Sequence, residues 1–355
     1  MPEEPHSAAR RVASDQELSC SRCEIETITR YKNERMTYQT DVCPGCGSTD
    51  FISRPAVMAP FLAAYLFDQP PDVHGLGACA ACGLRFYTTR FDDTEIDRLY
   101  TDYRDERYLA MRRHSEPWYT RKVNEYLSGA GMEPRQEVYR AALVGHAEAN
   151  SIGSVLDYGG DRGQMMAGGP GSEFYVYDIS GIEPAPGVTA IRDEEDLERR
   201  QFDLVLLCAI VEHFSEPLAQ LKRVAERVKP GGLLYIEVPE DSFSVESIPS
   251  GRWYVAYLRR LVRHPLLMLV VDFISTAIRL KFRVIPPFGF AKQHEHLNYF
   301  DVRSLSHLVS ASGLTLLNCS MSSEGSVVAM CRRSAAVDVN LGADEVSQAA
   351  ASTVA

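Results

Sequence analysis

The chain of 355 residues is 45% hydrophobic and 24% charged, the composition of an ordinary globular protein with room for about two domains. Its 37 basic residues are outnumbered by 48 acidic ones, and the net charge of -11 argues against a phosphate-neutralising surface, which disfavours a nucleic-acid substrate. Met1 to Ser19 has neither the apolar centre of a secretory leader nor the Arg-rich, acid-poor character of a transit peptide, so the cytoplasm is the expected compartment.

Residues 1–38 read as a loose tail, and residues 39–92 as a small metal module. Six of the nine cysteines fall in three Cys-x-x-Cys pairs, Cys20/Cys23, Cys43/Cys46 and Cys79/Cys82, a spacing that in a reducing compartment signals metal rather than disulfides. Cys43-Pro-Gly-Cys46-Gly47 and Cys79-Ala-Ala-Cys82-Gly83 share a trailing glycine, which takes positive φ at no steric cost and lets the turn aim backbone amides at the sulfurs. Cys43, Cys46, Cys79 and Cys82 are therefore assigned to a structural Zn closed by four protein ligands. The 32 residues between the two knuckles hold a strand or hairpin. Cys20-Ser-Arg-Cys23-Glu lacks the glycine; together with Cys43/Cys46 it makes a second four-Cys spacing that counting alone leaves open. Cys208, Cys319 and Cys331 lie in or beside apolar runs, as small buried thiols do.

Residues 93–150 form a helical connector or lid, with Tyr100, Tyr103, Tyr108 and Arg112 spaced to fall on adjacent helical turns. From about Ser151 short apolar runs alternate with helical stretches, the mark of a parallel sheet covered by helices. The expected strands are Ser154 to Tyr158, Phe174 to Asp178, Phe202 to Cys208 and Leu233 to Val238, with a helix over Pro217 to Val228 stopped by Lys229-Pro-Gly-Gly232. An insertion over 240–292 contains Trp253, Tyr254, Tyr257 and an apolar run from Leu266 to Leu280 broken by Asp272 and Arg279, too short and too broken to span a bilayer. With seven Lys or Arg between Arg252 and Arg283, it reads as a basic amphipathic lid suited to a sugar diphosphate or to peripheral membrane contact through 252–283. A helix over Val302 to Ser312 and strands Leu314 to Asn318 and Ser326 to Cys331 close the domain at about 335; 336–355 is a loose tail.

The chemistry sits in the first turn of that domain, Asp157-Tyr-Gly159-Gly160-Asp161-Arg-Gly163. A dinucleotide fingerprint would need glycines where Asp161 and Gln164 stand. What is present is an acid two residues before the first glycine, a second acid 21 residues later at Asp178, and a strand ending in Cys208-Ala209 ahead of Glu212-His213. Over Ser151 to Arg332 these residues resemble the class I S-adenosylmethionine-dependent methyltransferases. The resemblance implies an α/β fold: a Rossmann-like sheet with helices on both faces, here joined to the zinc-knuckle module and the helical insertion. It further implies S-adenosylmethionine held by Asp157, Gly159, Gly160 and Gly163 at its methionine moiety, by Asp178 at the ribose hydroxyls and by Ile179 at the adenine, with Cys208 and Tyr103 also lining the site. An acid ending the second strand is independently suited to a vicinal diol, since it accepts two hydrogen bonds.

The zinc knuckles together with His294-Glu295-His296-Leu-Asn298-Tyr299-Phe300 are similar to sugar C-methyltransferases acting on nucleotide-linked ketosugars. The family's Glu and second His match Glu295 and His296, implying a catalytic pair in which the carboxylate raises the imidazole's basicity. The family's tyrosine two residues earlier falls at Gln293. His213, at the carboxyl edge of the sheet, joins Glu295 and His296 as a catalytic candidate. The resulting expectation is methyl transfer to carbon or oxygen of a sugar, nucleotide sugar or related small molecule in polysaccharide or secondary-metabolite synthesis. The rival readings are an RNA-modifying methyltransferase and a non-catalytic scaffold.

Overall fold

The computed structural model describes residues 38–335 apart from 102, 127–131, 147–151, 167–172 and 242. The tails, and with them Cys20 and Cys23, lie outside the described residues. The N-terminal part runs β1 (Tyr38–Gln39), β2 (Phe51–Met58), α1 (Pro60–Phe67), β3 (Val73–Cys79), β4 (Arg85–Tyr87) and β5 (Thr89–Arg90), followed by α2 (Asp93–Tyr100), α3 (Glu106–Ser115), α4 (Arg121–Glu125) and α5 (Met132–Leu143). Then come β6 (Ser154–Tyr158), β7 (Glu173–Tyr177), β8 (Val188–Ile191), α6 (Glu194–Glu198), β9 (Phe202–Cys208), α7 (Pro217–Ala225) and β10 (Val228–Pro239). The chain ends with α8 (Arg252–Leu261), α9 (Pro265–Phe282), β11 (Lys292–Gln293), β12 (Asn298–Tyr299), α10 (Val302–Ala311), β13 (Thr315–Met321) and β14 (Ser326–Arg332).

Seven strands form one sheet in the order β13-β14-β10-β9-β6-β7-β8. β6 to β10 are mutually parallel, and β14 runs antiparallel between β10 and β13. The chain leaves β6 toward β7 and β8 and returns on its other side through β9, so the carboxyl ends of β6 and β9 flank the point where strand order reverses, and a cleft opens there. β9 is buried almost throughout because helices cover both faces of a parallel sheet, which is why its sequence is a continuous apolar run.

A second sheet, in the order β11-β2-β3-β4-β12, joins the N-terminal part to a segment more than 200 residues downstream. The Lys292 to Phe300 stretch supplies both edge strands: β11 pairs β2 in parallel and β12 pairs β4 antiparallel. The insertion packs on the same sheet, with Tyr254, Leu258 and Phe290 in one buried cluster with Ala56, Leu76 and Tyr87. Cys43, Cys79 and Cys82 belong to the large core that also holds Leu305 of α10 and the strands of the seven-stranded sheet.

Other boundaries differ from expectation for local reasons. The single tyrosine-bearing helix is two, because Arg104 adopts φ +64 and Asp105 restarts the helix by accepting a hydrogen bond from the Tyr108 amide. α7 ends at Ala225 because Val228 already pairs with Phe202; Lys229 to Gly232 is an irregularity within β10, not a stop between elements. The two-turn-or-shorter elements β8 and α6 went unread, their stretches being too brief to show a period.

Candidate active site and metal centre

A cavity of about 990 Å³ opens at the carboxyl ends of the parallel strands, at the upper end of the size range of small-molecule sites. Its floor is the turn after β6. Gly159 takes φ +69, where a Cβ would strike Ile210, and a Cβ on Gly160 would lie 2.1 Å from Asp157 Cγ. Any side chain at 160 must therefore displace the Asp157 carboxyl. Asp161, standing where the resembled pattern has glycine, reaches φ +55, a conformation aspartate tolerates better than most residues. Gly163 is also left-handed, yet it is not among the cavity's lining residues: a Cβ there would meet Met166 and Val188. Gly163 thus packs beneath the turn, beside the lining residues Asp161 and Gln164.

Asp157 is fully buried with no hydrogen-bond partner on either oxygen, and burial pushes it up to about 7. A carboxyl orphaned at a cavity floor is costly unless a ligand donor or cation satisfies it. Asp178, ending β7, accepts the Asp161 amide on Oδ2 and the Ser180 amide on Oδ1, each at 2.8 Å. Those two bonds fix the carboxylate and leave each oxygen a further lone pair for a ligand. Ile179 lines the cavity at 43% exposure, and Cys208 and Tyr103 line it as well. The orphaned acid, the side-chain-free turn and the oriented second acid fit S-adenosylmethionine.

The other end of the cavity holds Tyr100, Glu212, His213 and His296. The rings of His213 and His296 are 4.8 Å apart and steeply inclined. His213 Nδ1 lies 2.7 Å from the Tyr100 hydroxyl and 3.1 Å from the Glu295 carbonyl. The carbonyl can only accept, so Nδ1 carries the proton and Nε2 keeps its lone pair, 3.9 Å from Glu212. Burial lowers His213 to about 3, with the His296 imidazole adding to it, and lowers His296 to about 4. Both are neutral at physiological pH and able to accept a proton. Glu212 is buried with both oxygens unpartnered, and burial raises it to about 8. One donor atom each from Glu212, His213 and His296 fall within 4.8 Å of one another, a set suited to a metal ion as well as to proton transfer.

The expected pairing of Glu295 with His296 is corrected. The Glu295 carboxylate accepts from Tyr108 and, at 2.8 Å, from Arg112, and it does not line the cavity. Burial, the largest single influence, would push it up, but the Arg112 guanidinium, His294 and the Tyr108 hydrogen bond together outweigh it and hold it at about 2. It is spent on a structural ion pair that continues through Arg112, Glu116 and Lys292. His296 thus stands in the cavity without a dedicated carboxylate, and the Glu295 backbone rather than its side chain serves the site by orienting His213.

Sequence reasoning passed over Arg90. Fully buried, it donates to the carbonyls of Tyr87, Phe214, Ser215 and Leu297 and to Asn298 Oδ1. It ties β5 to the loop behind His213 and to the strand behind His296, and Leu297 and Asn298 themselves bond the Glu212 carbonyl. The N-terminal sheet therefore sets the spacing of the two imidazoles.

The raised pKa of Glu212 has a consequence for stability. A carboxyl whose folded value exceeds its unfolded one stabilises fully at low pH and loses that contribution as pH rises through the folded value. His213 and His296, with depressed values, act in the opposite sense, but only below their unfolded value near 6.5. Between pH 6.5 and 8 the carboxyl effect is unopposed by them. The thermal midpoint of the ligand-free protein should fall across that window, and Glu212→Gln should flatten the fall; an unchanged slope would place the Glu212 pKa elsewhere.

At the metal module, Cys43 Sγ and Cys82 Sγ are 3.6 Å apart, as are Cys46 Sγ and Cys79 Sγ. That is far beyond a disulfide and close to the roughly 3.8 Å edge of a tetrahedron of thiolates about 2.3 Å from zinc. Gly47 and Gly83 take φ +75 and +85, as the knuckle pattern requires. Arg303 of α10 donates to the carbonyls of Ala80 and Ala81, fastening the second knuckle to the methyltransferase sheet's own helix layer. The four sulfurs fit zinc.

Residues 119–318 match the family model described as a methyltransferase domain, and the chain belongs to that family. No curated protein matches it. Among solved structures it is similar to an O-methyltransferase family protein from Burkholderia thailandensis, at 16% identity over 67% of this chain and 64% of that one, with a TM-score of 0.38. It is also similar to human N-acetylserotonin methyltransferase in complex with SAM, at 13% identity over 66% and 58% of the two chains and a TM-score of 0.34. A SAM-dependent methyltransferase from Aquifex aeolicus matches at 14% identity over 68% and 99%, with a TM-score of 0.34. The chain spans less than two thirds of the length of the first two of these.

Proposed function

We propose that this protein transfers a methyl group from S-adenosylmethionine to oxygen or carbon of a sugar, nucleotide sugar or related small molecule, with a structural zinc in its N-terminal module. One observation carries the reading: a single cavity is lined by an orphaned acid, an oriented second acid and two neutral, half-buried imidazoles. Asp157, Gly159 and Gly160 would hold the methionine moiety, Asp178 the ribose and Ile179 the adenine. Cys43, Cys46, Cys79 and Cys82 would hold the zinc. The cofactor supplies an electrophilic methyl on its sulfonium. The protein's part is to position the acceptor in line and take its proton. His296 is the leading base on the resemblance of its segment, and His213, held through Nδ1 with Nε2 left to accept a proton, is the second candidate. The sugar class rests on the resemblance of the His294 to Phe300 segment together with the zinc knuckles.

Methyl-labelled S-adenosylmethionine incubated with the protein and a set of nucleotide sugars should leave label on one of them, with fragment masses placing it on carbon or oxygen. His296→Asn should cut transfer by about a hundredfold or more while leaving binding of S-adenosylhomocysteine intact. Turnover unchanged in that variant would remove His296 from the mechanism, and label found only on RNA would replace the acceptor class.

A further inference from the structure

α9 is inside out for a helix bathed in water. Its buried positions include Asp272 and Ser275, which are satisfied inward by Lys292 and by the Phe290 backbone. Its outward positions are Leu266, Leu267, Val270, Phe273, Ile274 and Leu280, recurring every three or four residues and up to 82% exposed. Ten of the nineteen exposed large apolar side chains among the described residues lie between Trp253 and Phe288. The 18-residue helix is about 27 Å long, and these side chains fall along most of it. Trp118 packs on Phe273 of the stripe with ring centroids 6.1 Å apart, and the chain's other tryptophan, Trp253, is 63% exposed at the start of α8.

Charge around the stripe runs against the rest of the molecule. Between Arg252 and Arg283 there are seven Lys or Arg and one acid, Asp272, in a chain of net charge -11. Arg252, Arg259, Arg260 and Arg263 make no ion pair among the described residues. With Arg54 they line a second cavity, of about 1020 Å³, whose walls include no carboxylate. No described helix is long and apolar enough to cross a membrane by itself, and the polar inner face of α9 is fastened to the protein. An exposed apolar face on one helix with a tryptophan packed on it, and seven basic residues against one acid over the same pair of helices, is the pattern of helices lying on a bilayer surface.

We propose that α8 and α9 form a docking face for an anionic phospholipid surface, with the α9 stripe entering the headgroup and acyl boundary and the arginines of α8 engaging lipid phosphates. A second copy of the chain is the poorer occupant, because a two-fold interface here would oppose the unpaired arginines of both copies.

The test uses the full chain with sucrose-loaded vesicles and needs no methyl transfer to be read. The protein should sediment with phosphatidylcholine vesicles that contain phosphatidylglycerol and much less with phosphatidylcholine alone, and tryptophan emission should shift to the blue on binding. Arg259→Ala and Arg260→Ala should each weaken partitioning about fivefold. Leu266→Asp with Val270→Asp should abolish it while leaving the thermal midpoint unchanged, since both side chains are exposed. Failure to sediment, sedimentation unaffected by the aspartates, or equal binding to both vesicle types would overturn the proposal. So would a solution dimer that the same aspartates dissociate, which would assign the stripe to a second copy.

Discussion

If the four sulfurs hold zinc as proposed, substituting Cys82 by Ser is expected to release it, loosen the N-terminal sheet and silence methyl transfer while S-adenosylhomocysteine still binds. Structural zinc contributes on the order of 10–16 kcal/mol in small metal modules, as much as the whole stability of a typical domain. Here the two knuckles begin and end the β2–β3 hairpin region, and Cys79 is the last residue of β3. Losing the metal removes the anchor for β4, and with it the β12 strand that pairs Asn298 with Phe86 and Tyr299 with Arg85. His296 would then lose its fixed distance from His213, whereas Asp157 and Asp178 stand on the other sheet. Wild-type protein should release one zinc per chain on thiol modification, and the variant less. Wild-type protein that is metal-free, folded and active would remove zinc from the account.

The second large effect falls on the cofactor. Asp178→Ala deletes an acceptor whose two charge-assisted bonds to a ribose diol are each worth about 1.5–3 kcal/mol, so affinity should drop by roughly a hundredfold or more. The same change frees the Asp161 and Ser180 amides, which loosens the turn that carries Gly159 and Gly160. Gly160→Ala should match it by another route, since the new methyl must displace the Asp157 carboxyl. Titration calorimetry would separate the two: retained affinity in Asp178→Ala would move the ribose elsewhere, and retained affinity in Gly160→Ala would free Asp157 of its assigned contact.

Much of the parallel sheet was legible because a strand buried on both faces must be a continuous apolar run, as Phe202 to Cys208 is, and the place of Asp157 and Asp178 in the cavity was legible because they stand at the ends of such runs. That Cys43, Cys46, Cys79 and Cys82 come together was legible for a similar reason: the spacing within each pair is local, and only the trailing glycine had to be added. What stayed hidden depends on contacts across long stretches of chain. Glu295 looked like the partner of its neighbour His296, but its actual partners Tyr108 and Arg112 lie more than 180 residues upstream. Arg90 sits in no motif, yet its guanidinium meets five acceptors brought together by three separate segments. The apolar run of the insertion was visible, but not which face of it is buried, because Asp272 is drawn inward by Lys292, a residue beyond the end of the helix.

The central claim is that the cavity at the carboxyl ends of β6, β7 and β9 holds S-adenosylmethionine. Calorimetric titration of S-adenosylhomocysteine into the zinc-replete protein tests it most directly. The account predicts saturable binding of one molecule per chain that is lost in Asp178→Ala; absence of binding to the wild-type protein would contradict it.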